Sequence, residues 1–111
     1  MTLIRIDGRR VVDSKSFHEV LSEAFGFLKS YGKNLDALID CLTHLDDPAA
    51  KMSTLHIAAG TVATVVIDHG DAFGGKHAEL LGTLANAIAF VNWRRIEKGQ
   101  PPILALAFHK S

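Results

Sequence analysis

Apolar and polar positions fall in blocks along the chain, and the period switches between two and about 3.6 residues. Leu3-Ile4-Arg5-Ile6 is a short apolar run closed by the turn dipeptide Asp7-Gly8, and it reads as a first strand. Phe17, Val20, Leu21, Ala24 and Phe25 then recur at helical spacing, and Gly26 ends the run. Asp13 or Ser14 is placed to cap this helix, with Ser16 followed by Glu19 as a rival capping box. A second helix is expected to start at Asn34, a favoured N-cap residue, and to stop before Asp46-Asp47-Pro48. On it Leu35, Leu38, Leu42 and Leu45 form one apolar stripe. Asp36, Asp40, Thr43 and His44 take the opposite side, and Ile39 flanks it.

Val62 to Ile67 is a β-branched run bounded by Gly60 and Gly70, and it reads as a buried strand. Between the second helix and this strand, Leu55-His56-Ile57 offers a short extra edge strand, or the whole of Ala49 to Gly60 is loop. Asp71 to Lys98 holds one or two helices with Leu80, Leu81, Leu84, Ile88 and Val91 on the apolar face, and Gly82 is a candidate break. Gly99 suits a C-cap, and Pro101-Pro102 forbid continuation. Ile103 to Phe108 is apolar on both faces and reads as a fully covered central strand. The order β, α, α, β, α, β predicts an α/β fold with a small three-stranded parallel sheet covered by helices. At 111 residues the chain suits one domain, residues 1–111.

Composition narrows the function classes. Hydrophobic residues make up 48% and charged residues 22%, the balance of an ordinary globular chain. No apolar run approaches the roughly 20 residues of a membrane span, and the N-terminus shows no signal-peptide pattern. The single cysteine, Cys41, excludes an internal disulfide framework and fits a reducing, cytoplasmic setting; it reads as a small buried apolar residue. Formal net charge is zero, so nothing indicates direct binding of nucleic acid. The 6 histidines include no close metal pair, and no metal or cofactor is expected. Asp68-His69 with Asp71 is a candidate catalytic cluster at a strand end, although a polar strand exit and a helix cap explain the same residues. Gly74-Gly75-Lys76 lacks the frame of a phosphate loop. The lone Trp93 reads as a partly buried helix residue, an interface role being the alternative.

Asp36 and Asp40 carry the most information. One helical turn apart, they stack on a single face, where like charges cost roughly 0.2–0.5 kcal/mol in an isolated helix. By themselves they fit a solvated helix face. Their setting adds to this: Tyr31-Gly32-Lys33-Asn34-Leu35-Asp36-Ala37-Leu38 followed by Asp40-Cys41-Leu42-Thr43 resembles the signature of the barstar family, intracellular inhibitors of secreted bacterial ribonucleases. The resemblance implies a barstar-like α/β fold and a protein that is not an enzyme and needs no cofactor. It also implies a monomer when free, whose partner is a ribonuclease. Asp40 would fill the enzyme's phosphate site and Asp36 would meet an enzyme arginine. Tyr31, Gly32, Asn34, Leu35 and Thr43 match other positions of the family's binding segment, and Ile39 and His44 occupy binding-segment positions with altered residues. Departures surround this core. Ser30 stands in place of an aromatic residue, Lys33 of an acid, Ile39 of a tryptophan, and His44-Leu45 of a glycine and a tryptophan. The last helix carries Asn92-Trp93-Arg94-Arg95 where the family has a further acidic contact. The rim is therefore altered, which implies a different cognate enzyme, or at least a different rim on it. Two other readings stay open: an interaction module whose partner is not a ribonuclease, and a small enzyme centred on Asp68, His69 and Asp71.

Overall fold

The computed structural model describes residues 2–72 and 77–109, so Gly74-Gly75-Lys76 lies outside the described residues. Among the described residues the elements with both ends defined are β1 (Leu3–Asp7), α1 (Ser14–Phe25), α2 (Leu35–Thr43), β2 (Ala63–Asp68), α3 (Ala78–Glu97) and β3 (Leu104–Phe108). Short 3-10 turns follow β1 at Gly8–Arg10 and α2 at Pro48–Ala50. The sheet runs β1-β2-β3 with both pairs parallel, Ile4 opposite Val65 and Val65 opposite Leu106. This is the α/β, three-stranded parallel architecture expected from the sequence.

The strand order corrects one expectation. The central strand is β2, and β3 is an edge. Ala63, Val65 and Ile67 on β2 are fully buried and alternate with half-buried Thr64, Val66 and Asp68. On the neighbours, Ile4, Ile6 and Leu104 face the same core, whereas Leu3, Arg5 and Ala105 are exposed. One face of the sheet therefore carries the core and the other is largely open, unlike the two-sided burial usual for parallel sheets. The outer face of β3 holds Ala105 and Ala107. Alanine counts as apolar in a pattern but does not require cover, which is why the strand looked central. Leu55-His56-Ile57 adds no strand: Leu55 N donates to Phe25 O at 3.2 Å and Ile57 N to Leu45 O at 2.8 Å, and an isolated antiparallel bridge joins Phe27 with Ser53 just before it.

Local chemistry fixes the helix ends. Asp13 caps α1 by accepting from Ser16 N at 2.8 Å, and Ser16 Oγ accepts from Asp13 N at 3.0 Å. This reciprocal box uses Asp13 and excludes the Ser16–Glu19 alternative. Gly26 closes α1 in the left-handed region at φ 67°, where an added Cβ would also run into Thr54. The helices meet the sheet through one cluster in which Phe17, Leu21, Phe25, Leu38, Leu42, Leu45 and Leu84 are all at most 1% exposed. Leu35 is not part of it: at 47% exposure it departs from the predicted stripe, because it is the first residue of α2 and lines the open groove between α2 and α3.

Two residues from the Asn92-Arg95 run tie α3 to the rest. Asn92 Nδ2 donates to Leu104 O at 2.8 Å and its Oδ1 accepts from Ile103 N at 2.9 Å, which sets the start of β3. Arg95, 4% exposed, pairs with Asp46 through two bonds of 3.2 and 2.8 Å and donates to Thr43 O and Pro101 O. It clamps the end of α2 to the α3–β3 connection. Removing one member of such a buried pair leaves an uncompensated charge, at a cost of roughly 3–5 kcal/mol. Arg95→Ala is accordingly expected to lower the urea midpoint by that equivalent, and an unchanged midpoint would refute the clamp.

The helix α3 runs unbroken through Gly82, so the candidate break does not occur. An added Cβ at Gly82 meets nothing within 4 Å. Gly82→Ala should therefore stabilise the protein by up to about 1 kcal/mol, read as a rise in Tm.

Candidate functional site

Helix α2 begins where Asn34 Oδ1 accepts from Ala37 N at 2.8 Å. That cap places Asp36 in the first turn, where the positive end of the helix dipole favours a carboxylate. Asp40 lies one turn further on. Both side chains are exposed, and among the described residues neither carboxylate has a hydrogen bond or ion pair. They form a bare acidic ridge.

The ridge has a hollow on each side. At about 100° per residue, Leu38, Leu42 and Cys41 point to the core, Leu35 and Ile39 border the ridge on one flank, and Ala37 borders it on the other. On the Ala37 flank lies a notch of about 150 Å³ whose lining includes Ser30, Tyr31, Asp40, Lys51 and Met52. On the Leu35 flank, α2 and α3 enclose a groove of about 360 Å³ lined by Leu35, Ile39, Thr83, Asn86, Ala87 and Phe90.

A buried layer supports the turn that leads to α2. Tyr31 is 9% exposed and its hydroxyl shares a 2.6 Å hydrogen bond with His18 Nδ1. Its ring packs at 4.7 Å from Phe27, which stacks on Phe25 at 5.4 Å. Burial, and secondarily Cys41, raises the Tyr31 pKa, so the hydroxyl stays neutral. The buried Cys41 thiol is likewise pushed up, first by burial and then by the Asp40 charge, and is not a reactive thiolate. Lys33 adopts the left-handed region at φ 53°, an uncommon conformation for a residue with a Cβ and one that turns the chain into the Asn34 cap.

The other end of α2 is finished by its own side chains. Thr43 Oγ1 donates to Ile39 O at 2.6 Å. His44 Nδ1 lies 2.8 Å from Asp40 O, and because a carbonyl only accepts, the Nδ1 proton is the donor. Thr43 and His44 are half-buried, Asn34 and Gly32 exposed, and Ile39 half-buried against the core. The structure thus brings the nine sequence-predicted positions together on α2 and its leading turn, with Tyr31 beneath the surface and the rest on or near it.

Elsewhere the picture changes. Trp93 is 56% exposed, not partly buried as expected. The basic pair after it divides: Arg95 is consumed inside the fold, and Arg94 lies over the Phe90 ring at 5.4 Å. Asp68 is held by Arg5 through bonds of 3.0 and 2.7 Å, with His109 at 3.4 Å. Arg5, mainly by hydrogen bonding, keeps the Asp68 carboxyl below its usual range, so it is an ion-pair member and not a proton carrier. Asp71 is exposed. Among the described residues no group of three His, Cys, Asp or Glu side chains is placed to hold a metal, and no helix is long and apolar enough to cross a membrane.

Sequence reasoning missed Lys51 and Met52 beside Asp40, since nothing in a loop pattern aims them at α2. It also missed the groove residues of α3. The available signal was that Phe90 and Trp93 lie off the core stripe that contains Leu84, Ile88 and Val91.

The His18–Tyr31 layer makes a pH prediction. Burial, and secondarily Lys33, lowers the His18 pKa in the fold. The unfolded chain, with an ordinary histidine near about 6.5, then takes up its proton first as pH falls. This contribution to stability is complete above that value and is lost as pH drops below it towards the folded pKa. The urea midpoint should fall between about pH 7 and 5, and His18→Gln should flatten that fall. An equal slope in both proteins would exclude His18 as its source.

No curated protein matches the chain at a significant level. The family model described as barstar (barnase inhibitor) matches residues 1–103, a span that includes the Tyr31 turn, all of α2 and the whole of α3. With the three-stranded parallel fold and so extensive a match, the chain belongs to the barstar family.

Proposed function

We propose that this protein inhibits a ribonuclease, or a ribonuclease-type toxin, by inserting the Asp36–Asp40 ridge into its active site. The single observation that carries this reading is that both carboxylates stand outward with no internal partner among the described residues, in a family described as inhibitors of such an enzyme. A ribonuclease must bind and stabilise an anionic phosphodiester, so its site gathers Arg, Lys and His in a concave pocket. Carboxylates one helical turn apart present the same charges to those cations and accept charge-assisted, often bidentate, hydrogen bonds from arginine. Asp40 takes the central phosphate position and Asp36 a flanking arginine. Preorganised enzyme cations offset the cost of desolvating the carboxylates, and α2, capped at Asn34 and clamped at Thr43 by Arg95, arrives already ordered.

In this reading the inhibitor is not an enzyme, needs no cofactor and acts as a monomer in the cytoplasm of the cell that makes the ribonuclease. The alternative centred on Asp68, His69 and Asp71 loses support because Asp68 is neutralised by Arg5. The altered rim keeps one competitor, a partner that is a protein but not a ribonuclease.

Inhibition of RNA cleavage by small secreted ribonucleases from the source genome is the test. Asp40→Ala and Asp36→Ala should each weaken inhibition by roughly 2–5 kcal/mol, a range to which complexes of this family themselves contribute. Thermal stability should stay equal or rise slightly for Asp40→Ala, which relieves a like-charge contact, and change little for Asp36→Ala, where that relief is offset by the lost interaction with the helix dipole. Variants as potent as the parent would refute the mechanism.

A further inference from the structure

The groove between α2 and α3 shares a wall with the acidic ridge. Leu35 and Ile39 form that wall, and each is the immediate sequence neighbour of an aspartate, Asp36 and Asp40. Ala87 floors the groove and Phe90 closes it from α3. Phe90 is 41% exposed and contacts Trp93 at 6.0 Å, so the apolar surface continues past the groove itself.

Its chemistry selects an occupant. At about 360 Å³ the groove lies at the low end of ligand-sized cavities, roughly 300–1,000 Å³. A small polar ligand needs placed hydrogen-bonding groups. Of the two polar side chains in the lining, Thr83 spends its hydroxyl on Glu79 O at 3.0 Å, and Asn86 is exposed at the edge. The walls are aliphatic and aromatic. Such a surface accepts a large apolar side chain carried on a protein that is already docked alongside.

Charge points the same way. Between Glu79 and Glu97, α3 carries no carboxylate, and its one outward cation in that stretch, Arg94, lies on Phe90. A uniformly basic partner rim gains nothing here. A partner that sets an apolar residue beside its cationic phosphate site fits both surfaces at once.

We infer that the α2–α3 groove is a second anchor point, which receives a large aliphatic or aromatic side chain projecting from the rim of the ribonuclease active site. This rests on the inhibitor reading above, and it names the partner by its surface: a cationic centre flanked on one side by an apolar knob in place of a basic rim. The groove supplies specificity where the ridge supplies capture.

Two variants test it against the ribonuclease that the parent protein inhibits. Asn86→Trp fills the groove from its exposed edge, and Phe90→Ala removes a wall that is partly in solvent, so neither touches the ridge or the core. Each should raise the inhibition constant by about tenfold or more, the equivalent of losing the burial of one large apolar side chain. Asp40→Ala is the internal control for the ridge. If Asp40→Ala loses inhibition while both groove variants match the parent, the groove is not an anchor and the inhibitor reading stands. If the parent inhibits no ribonuclease, both fall together. Circular dichroism melts of the two variants establish that they are folded; if either is not, Asn86→Arg, which places a charge at the same edge, decides by the same tenfold criterion.

Discussion

Leu38 and Leu42 are both 0% exposed, and their burial determines what α2 can present. With those two side chains fixed in the core, helical geometry leaves Asp36 and Asp40 no direction but outward. Nothing described inside the molecule neutralises them. The fold therefore maintains a small electrostatic strain on its surface, roughly a few tenths of a kcal/mol, that an external cation relieves. Everything around α2 serves to hold that presentation. The Asn34 cap starts the helix, the His18–Tyr31–Phe27 layer props the turn before it, and the Arg95–Asp46 pair secures its far end.

Much of this was legible in the sequence because local rules suffice for it. Caps at Asp13 and Asn34, the stop at Gly26 and the β-branched run of β2 depend on a few neighbouring residues, and they form as local physics dictates. What was misread depends on tertiary placement. Whether Ile103 to Phe108 is central or an edge turns on which faces Ala105 and Ala107 meet, and alanine is indifferent to that choice. Arg94 and Arg95 are identical in sequence terms. One is absorbed by Asp46, a residue 49 positions away, and the other remains at the surface, a difference no periodicity contains. The acidic pair was visible as a pattern; the hollows beside it were not, because they are made by segments far apart in the chain.

The zero net charge of the chain acquires a meaning from this arrangement. Asp36 and Asp40 form the ridge, and Lys51 lines the notch beside Asp40 as a positive residue. Long-range steering by overall charge is therefore weak, and short-range complementarity must select the partner. A family fold whose capture element stays constant can change its target by altering such a rim. Under the proposed function, Ser30, Lys33, Ile39 and the apolar stretch of α3 are the positions that would do so in this chain.

Imitation of RNA's phosphates makes a claim about competition, and competition can be measured directly. The affinity of this protein for a ribonuclease that it proves to inhibit should be determined by titration calorimetry in rising concentrations of a nucleoside 3′-monophosphate, a ligand of the same anionic site. The account predicts mutually exclusive binding, with the apparent Kd climbing in proportion to the nucleotide. An apparent Kd that stays constant, with nucleotide and inhibitor bound to the enzyme together, would contradict it.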